Sequence, residues 1–313
     1  MHLPEDIAAQ IEEICKDWTG PRLQDAAHRL MSEYREKGPS PLLDEPMVAA
    51  YLAIRAPATY AAVLAVLAEA KIRIPGLNPT SVLDLGSGPG TVAWAVREVY
   101  GEPTSFRAVE AHLEFINAGR RLYPGIEWLR GDLTQASALP PARLVTASYA
   151  LGELSPAARS RLIDLAWGAA GHAFILIEPG TPDGFNVIEA ARRQLLEAGA
   201  TIAAPCPHSM ACPLANGDGG WCHFSRRLSR TRRHRLLKDA ERGWEDEKFA
   251  FLVATRLDAE PAGVRVLGHP TQSKISIRFE ACTDKGEFEG LEIPRRDKEA
   301  WKLARKLEWG DGF

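Results

Sequence analysis

Short apolar runs alternate with stretches of helical periodicity through the middle of the chain. The first run, at residues 81–85, ends at a glycine-rich turn, and apolar positions at helical spacing follow it over residues 91–97. Further runs of this kind lie at residues 106–110, 126–132, 144–149, 172–178 and 247–256. Because parallel strands need helical crossovers between them, this alternation predicts an α/β protein with a doubly wound sheet.

The segments around this core carry other patterns. Residues 5–37 and 45–70 have apolar positions at helical spacing, which predicts amphipathic helices on either side of a linker at Gly38–Pro41. The predicted regions are an N-terminal helical cap over residues 1–76, a nucleotide-binding core over 77–200, a cysteine-rich and basic insertion over 201–246, and the remaining core strands, a β-hairpin and a closing helix over 247–313.

The turn after the first apolar run has the chemistry of a ligand loop. Glycines at alternate positions allow positive φ and let a ligand lie against bare main chain. The loop reads G-x-G-x-G after an acidic residue, which resembles the first motif of class I S-adenosylmethionine (SAM)-dependent methyltransferases and differs from the G-x-G-x-x-G dinucleotide fingerprint. The predicted SAM-binding residues of this turn are Asp84, Gly86, Ser87, Gly88 and Gly90.

Two more acids stand at the ends of the next predicted strands. Glu110 lies 26 residues after Asp84 and is expected to accept hydrogen bonds from the ribose hydroxyls. Asp132 has the position of an adenine contact, and its alternative role is to cap the turn that follows it.

The fourth strand ends without a recognised catalytic motif. Amino-directed nucleic-acid methyltransferases carry Asn or Asp, two prolines and an aromatic residue there, whereas this chain has residues 148–153, Ser-Tyr-Ala-Leu-Gly-Glu. Glu153 is the candidate general base or ligand of the SAM ammonium group, and a solvent-exposed carboxylate is the alternative. The sequence therefore predicts a SAM-dependent methyltransferase-like protein without assigning a catalytic residue.

Cysteine usage points to metal chemistry. The chain has 313 residues, a net charge of −3 and five cysteines, and it lacks a secretory signal or a long apolar segment. We therefore expect a cytoplasmic, monomeric protein without a membrane partner. Cys206, Cys212 and Cys222 lie in the insertion, and Cys282 follows a predicted strand. Four thiolates suit zinc or an iron–sulfur cluster, and the alternative is that these cysteines only fill space.

A strongly basic segment follows the cysteines directly. On a helix, residues 225–238 would form a positive band that can neutralise several phosphates, and a solvated face or a protein partner is the alternative. Because the chain as a whole is acidic, we expect this segment to bind RNA. The candidate RNA-binding residues are Arg226, Arg227, Arg230, Arg232, Arg233, Arg235 and Lys238.

Several motifs together resemble one family, the mitochondrial small-ribosomal-subunit methyltransferase-like assembly factors and their bacterial relatives. The matching segments, spread over residues 45–313, include Leu-Asp-Leu-Gly-Ser-Gly-Pro-Gly from residue 83, Pro-Cys-Pro-His from residue 205 and Trp-Cys-His-Phe from residue 221.

The resemblance implies a role in ribosome assembly through small-subunit rRNA, and a SAM pocket at Asp84, Gly86, Gly88 and Glu110. It also implies a 4Fe–4S cluster on Cys206, Cys212, Cys222 and Cys282, with zinc as the alternative. It does not imply that the protein methylates a substrate. An active rRNA methyltransferase and an NAD-dependent oxidoreductase are the alternative functions.

Overall fold

The computed structural model describes residues 1–35, 43–215 and 220–313. The predicted linker at Gly38–Pro41 lies outside these ranges. The chain divides into two compact units: the first contains residues 1–68, 78–171 and 226–247, and the second contains residues 69–77, 172–225 and 248–313.

The described elements alternate along the chain much as the apolar pattern predicts. In chain order they are α1 (Glu5–Lys16), α2 (Gly20–Arg35), α3 (Glu45–Ile54), α4 (Ala56–Arg73), β1 (Ser81–Leu85), α5 (Thr91–Tyr100), β2 (Ser105–Glu110), α6 (Leu113–Leu122), β3 (Ile126–Arg130), β4 (Ala142–Ser148), α7 (Pro156–Ala169), β5 (Ala170–Pro179), α8 (Pro182–Glu197), β6 (Thr201–Ala204), β7 (Phe224–Ser229), α9 (Arg232–Leu237), β8 (Trp244–Thr255), β9 (Val264–Gln272), β10 (Ser276–Thr283), β11 (Phe288–Pro294) and α10 (Lys298–Ala304). Single 3₁₀ turns occur at Leu133–Gln135 and Leu151–Glu153.

The N-terminal helices form because their apolar positions recur on one face. In α1 and α2 this face is buried through Ile7, Ile11, Leu23 and Leu30, and α3 begins where the Asp44 side chain accepts a hydrogen bond from the Met47 amide. Within the described ranges no single helix is long and apolar enough to cross a membrane. The pair α3 and α4, bent by 47° at their junction, meets that requirement by length and composition only.

The first unit holds four parallel strands in the order β3-β2-β1-β4. Parallel strands put their carboxyl ends at the same edge, so the turn after β1 lies beside the ends of β2 and β4. In this register Asp84 of β1 is opposite Ala108 of β2 and Thr146 of β4.

The second unit contains antiparallel strands. β8 pairs with β5 on one side and β6 on the other, and both pairings are antiparallel. A separate sheet of β9, β10 and β11 is also antiparallel, and its core contains Val266, Ile277 and Phe279. Parallel and antiparallel strands in these orders, with a glycine turn after the first, confirm the predicted α/β fold of the class I SAM-methyltransferase type with a mixed sheet.

The basic segment does not form the single helix expected from the sequence. Its first part is strand β7, which pairs with β8, and only residues 232–237 are helical. Thr231 caps this short helix by accepting a hydrogen bond from the His234 amide. Leu228 of β7 and Leu237 of α9 are both buried. A strand and a short helix therefore each bury an apolar side chain within one charged stretch.

One carboxylate holds the turn between α9 and β8. Glu245 Oε2 accepts hydrogen bonds from Arg230 at 2.7 Å and Lys238 at 2.8 Å, and its Oε1 lies 3.2 Å from Nε2 of the buried His234. Burial alone would raise the pKa of Glu245, but these three side chains outweigh burial and hold the pKa far below its usual range.

We expect Glu245→Gln to lower the free energy of unfolding by about 2–4 kcal/mol at pH 7. The change leaves the largely buried cations Arg230 and Lys238 without a carboxylate to pair with. A carboxylate with a lowered folded-state pKa stabilises above its unfolded pKa of about 4.3 and loses this contribution as the pH falls below it. Urea unfolding should therefore show a difference between variant and wild type that shrinks below about pH 4. Glu241→Gln, at an exposed position nearby, is the control and should change little.

Candidate functional site

Three glycines shape the turn after β1. Gly86, Gly88 and Gly90 have φ values of 68°, 54° and 89°, which side chains with a Cβ rarely adopt. A Cβ on Gly86 would lie 2.7 Å from the Ala150 Cβ, and one on Gly90 would lie 2.6 Å from the Ile126 Cδ1. The loop therefore needs glycine for both conformation and space.

Asp84 lies buried beneath this loop and is only 1% exposed. One of its oxygens accepts a hydrogen bond from the Thr146 hydroxyl at 2.7 Å, while Oδ2 has no partner among the described residues. Burial raises the pKa of Asp84 to about 6. A buried acceptor beside a glycine turn suits a ligand that donates hydrogen bonds, as SAM does through its amino and hydroxyl groups.

Glu110 ties the loop to the end of β2. Its Oε2 accepts a hydrogen bond from the Gly88 amide at 2.8 Å, and its Oε1 accepts one from the His112 amide at 2.9 Å. The carboxylate is 6% exposed and lies beside the glycine turn, at the strand end where the sequence analysis expects it. Each oxygen keeps a second lone pair, so the group orders the loop and can still accept from a ligand hydroxyl.

The other two acidic candidates are exposed. Asp132 accepts a hydrogen bond from the Thr134 amide at 2.8 Å and so caps the 3₁₀ turn at Leu133–Gln135, which is the alternative role considered for it. Glu153 ends the 3₁₀ turn that follows β4. The structure therefore gives Asp132 a local structural role and keeps Glu153 at the surface.

Tyr51 of α3 is a site residue that the sequence analysis missed. Its hydroxyl lies 3.7 Å from the place where a Cβ on Gly88 would stand, and its ring contacts Phe115 edge-on with centroids 4.8 Å apart. The sequence offered only its place in an apolar helical pattern, which is equally typical of a core residue. The helical cap thus contributes an aromatic hydroxyl beside the glycine loop.

An ion pair lies at the end of β4. Tyr149 has a φ of 58°, unusual for a residue with a side chain, and its hydroxyl donates to Glu247 Oε1 at 3.0 Å. Arg55 reaches both oxygens of Glu247 at 3.4 Å. The Glu247 carboxylate is therefore neutralised by a guanidinium group, which makes it a poor general base.

All four predicted metal-ligating cysteines line one cavity. Cys206, Cys212 and Cys222 come from the loop between β6 and β7, and Cys282 comes from β10. The cavity has about 40 Å³ of free volume, where one water molecule needs roughly 10–15 Å³. The tertiary fold thus brings Cys282 to the other three thiols across a long sequence separation.

The thiols are close enough to influence one another electrostatically. Burial raises the pKa of Cys222 well above its usual value, and the charges of the other three cysteines raise it further. Burial also raises the pKa of Cys282 to about 12, with a further contribution from Cys206 and Cys212. Unless a metal cation binds them, Cys222 and Cys282 therefore stay protonated thiols at neutral pH.

Two buried arginines hold the cysteine loop in place. Arg265 is 2% exposed and donates to the Pro205 carbonyl at 2.9 Å and the Gly310 carbonyl at 2.7 Å. Arg192 is 4% exposed and donates to the carbonyls of His208 and Met210. Both guanidinium groups line the cavity, and Nε of Arg192 has no partner in the described part of the chain.

The cavity does not have the geometry of a single-ion site. No group of three or more His, Cys, Asp or Glu side chains, within the residues that the structure describes, is arranged to hold one metal ion. Zinc needs its sulfur ligands about 2.3 Å from the ion, which brings them close together. The four thiols therefore line one cavity without forming a site for a single metal ion among the described residues.

Most of the predicted RNA-binding cations are engaged within the protein. The ion pairs are Arg227 with Asp246, Arg230 and Lys238 with Glu245, and Arg233 with Glu12. Arg226, Arg232 and Arg235 are exposed and have no acidic partner among the described residues. Trp244 is also engaged, because the Arg227 guanidinium lies 3.7 Å from its ring centroid.

The fold and the glycine loop define a methyltransferase-like protein of the class I SAM-dependent type. The chain belongs to the Rsm22 family, because the family model described as mitochondrial small ribosomal subunit Rsm22 matches residues 45–313. The resemblance expected from the motifs is therefore confirmed.

One of the curated relatives is named as a ribosome assembly protein. The human mitochondrial ribosome assembly protein METTL17 is 24% identical over 287 residues, covering 83% of this chain and 61% of that protein. Rsm22-cox11 tandem protein 2 of Schizosaccharomyces pombe is 27% identical, covering 87% of this chain and 43% of that protein. The chain thus spans less than two thirds of the length of these relatives.

Solved methyltransferase structures share a general likeness. Magnesium protoporphyrin IX methyltransferase from Synechocystis, solved with bound SAM, has a TM-score of 0.42 and 16% identity, covering 72% of this chain and 90% of that one. A SAM-dependent methyltransferase from Aquifex aeolicus has a TM-score of 0.41 and 14% identity, covering 68% and 98%.

The expectation of a cytoplasmic location is wrong. The family model and the relatives from human and fission yeast are all described as mitochondrial, which points to a mitochondrial location instead.

The buried carboxyl of Asp84 predicts a measurable pH dependence. Because its folded pKa is raised, the protonated form stabilises the protein at low pH, and this contribution is lost as the pH rises from about 4 to above 6. Asp84→Asn should remove that slope and make the variant relatively more stable at pH 7, by on the order of 3 kcal/mol. Urea unfolding at a series of pH values measures this, with exposed Asp132→Asn as the control. An unchanged slope in Asp84→Asn would contradict the prediction.

Proposed function

We propose that this protein is a ribosome assembly factor that binds SAM and a 4Fe–4S cluster and contacts small-subunit rRNA. Membership of the Rsm22 family supplies the assembly role. The observation that carries the finer proposal is the convergence of Cys206, Cys212, Cys222 and Cys282 on one cavity.

The SAM part of the proposal rests on the loop after β1. Asp84 offers a buried free acceptor, Glu110 orders the loop, and Gly86, Gly88 and Gly90 keep the main chain bare. SAM bound there would bring a transferable methyl group. Glu247, at the end of β4, is paired with Arg55, so we propose that SAM serves as a bound ligand more than as a methyl donor.

The cluster part of the proposal rests on donor chemistry. Thiolates are the ligands of 4Fe–4S clusters, and such a cluster separates its four sulfur ligands more widely than zinc does. The buried guanidinium groups of Arg192 and Arg265 line the same cavity. Arg265 is paired with Glu69, so Arg192 is the group that would offset part of the negative charge of a thiolate-ligated cluster. The cluster would tie the loop after β6 to strand β10.

In the RNA part of the proposal, three side chains of the basic segment contact RNA. Arg226, Arg232 and Arg235 are exposed and have no ion-pair partner in the described ranges, so their charges are available for phosphates. The paired cations Arg227, Arg230, Arg233 and Lys238 instead hold β7 and α9 within the fold.

Calorimetry should show that the purified protein binds SAM and ignores NAD. Glu110→Gln should weaken SAM binding at least about tenfold, because it removes a charged acceptor and loosens the Gly88 amide. Glu98→Gln, at an exposed position on α5, is the matched control. Equal affinity for NAD would favour the oxidoreductase alternative. Methyl transfer from labelled SAM to undermethylated small-subunit rRNA, lost in Glu153→Gln, would favour the methyltransferase alternative.

Anaerobic purification should yield a brown protein with absorbance at about 400 nm and about four iron atoms per chain, as a 4Fe–4S cluster requires. Cys222→Ser should lose both signals and also weaken RNA binding, since residue 222 lies directly before β7 and its arginines. Cys15→Ser is the matched control, because the Cys15 thiol is buried in the helical cap, where it donates a hydrogen bond to the Ala49 carbonyl. Zinc without iron in the wild type would contradict the cluster assignment.

A further inference from the structure

A cleft opens on the C-terminal sheet, and none of its lining residues lines the cysteine cavity. It has a volume of about 630 Å³ and is lined by Gln272, Ser273, Lys274, Arg295, Trp301 and Arg305. These residues come from the end of β9, the turn before β10, the residue after β11, and α10. The fold therefore gathers them from three separate parts of the sequence.

The turn that carries Lys274 is firmly held. The Ser273 hydroxyl accepts hydrogen bonds from the amides of Ile275 and Ser276, and the Arg295 amide donates to the Ile275 carbonyl at 2.8 Å. The Arg295 guanidinium also donates to the Lys274 carbonyl at 3.3 Å. The Arg295 side chain is thus held next to the main chain of Lys274.

The charge of the cleft is not balanced by the protein. Lys274, Arg295 and Arg305 are exposed, and none of them forms an ion pair with an acid among the described residues. The surrounding stretch, residues 295–306, contains six cations and two acids, and one of those acids, Asp297, caps α10 through the Ala300 amide. Cations that face one cleft without acids repel each other, so an anion bound there would be stabilising.

The remaining wall of the cleft is aromatic. Trp301 lies one helical turn before Arg305 on α10, so the two side chains share a face of that helix. Trp301 is half-buried against the core of the C-terminal sheet, which fixes the position of its indole ring. Cations beside a fixed indole are typical of surfaces that bind single-stranded nucleic acid, where phosphates meet the cations and bases or riboses meet the ring.

We propose that this cleft binds the phosphate backbone of single-stranded RNA, as a contact separate from Arg226, Arg232 and Arg235. The proposal rests on the RNA-binding part of the proposed function and adds a second surface to it. An acidic protein segment could use the same charges, but the open cleft has only one aromatic wall and lacks the apolar centre of a protein interface. Guanidinium groups also match phosphate oxygens in a bidentate manner.

The test uses the full chain, purified anaerobically, and a short fluorescent oligouridylate as the probe. The combined variant Lys274→Gln, Arg295→Gln and Arg305→Gln should weaken binding at least about tenfold at low salt and reduce the salt slope by about 2, since each phosphate contact contributes about 0.7. The double variant Lys274→Gln and Arg305→Gln, which keeps the Arg295 hydrogen bonds to the turn, should reduce the slope by about 1.4.

The matched control removes three other exposed cations of the same unit, Arg193, Lys248 and Lys285, each changed to Gln. An equal loss in this control would overturn the proposal in favour of unspecific attraction. Unchanged RNA affinity in the cleft variant, with reduced affinity in a variant lacking Arg226, Arg232 and Arg235, would overturn the cleft but leave the proposed function standing. If the cleft variant kept its RNA affinity but bound purified small subunits more weakly, the partner of the cleft would be an acidic protein segment. This result would also overturn the proposal that the cleft binds RNA.

Discussion

The cysteine loop depends on two guanidinium groups buried beside it. Residues 205–215 have little regular secondary structure, so their carbonyl groups need partners from elsewhere. Arg265 and Arg192 supply them by donating to the carbonyls of Pro205, His208 and Met210. Hydrogen bonds from charged donors contribute about 1.5–3 kcal/mol each, and a buried acceptor left without one costs a similar amount. The position of the thiols thus follows from main-chain hydrogen bonding as much as from cysteine packing.

The glycine loop follows the same principle with the opposite charge. Glu110 holds the amides of Gly88 and His112, so a buried carboxylate orders a loop in which three of five residues are glycine. At the end of β4, Glu247 is held by Arg55 and Tyr149 and is not available as a base. One carboxylate, Glu110, therefore orders the ligand loop, and another, Glu247, forms an ion pair at the end of β4.

The distribution of charge separates cations that stabilise the fold from cations that are available to a partner. Glu245 alone engages Arg230 and Lys238, and Glu12 engages Arg233, so much of the basic segment is structural. Exposed and unpaired cations remain on α9 and around the C-terminal cleft. A net charge of −3 for the whole chain conceals these local surfaces, because net charge says nothing about position.

The sequence by itself determined the parallel core, the glycine turn after β1, Glu110 at the end of β2 and the family, because strand periodicity, glycine spacing and short motifs are local features. Only the tertiary structure decided that Cys282 joins the other three thiols, that Tyr51 lies beside Gly88 and that four of the seven candidate RNA-binding cations are paired. The basic segment shows why. Its spacing was compatible with a helix, but pairing of β7 with β8 and the buried Leu228 favoured a strand, and such long-range pairing leaves no local signal in the sequence.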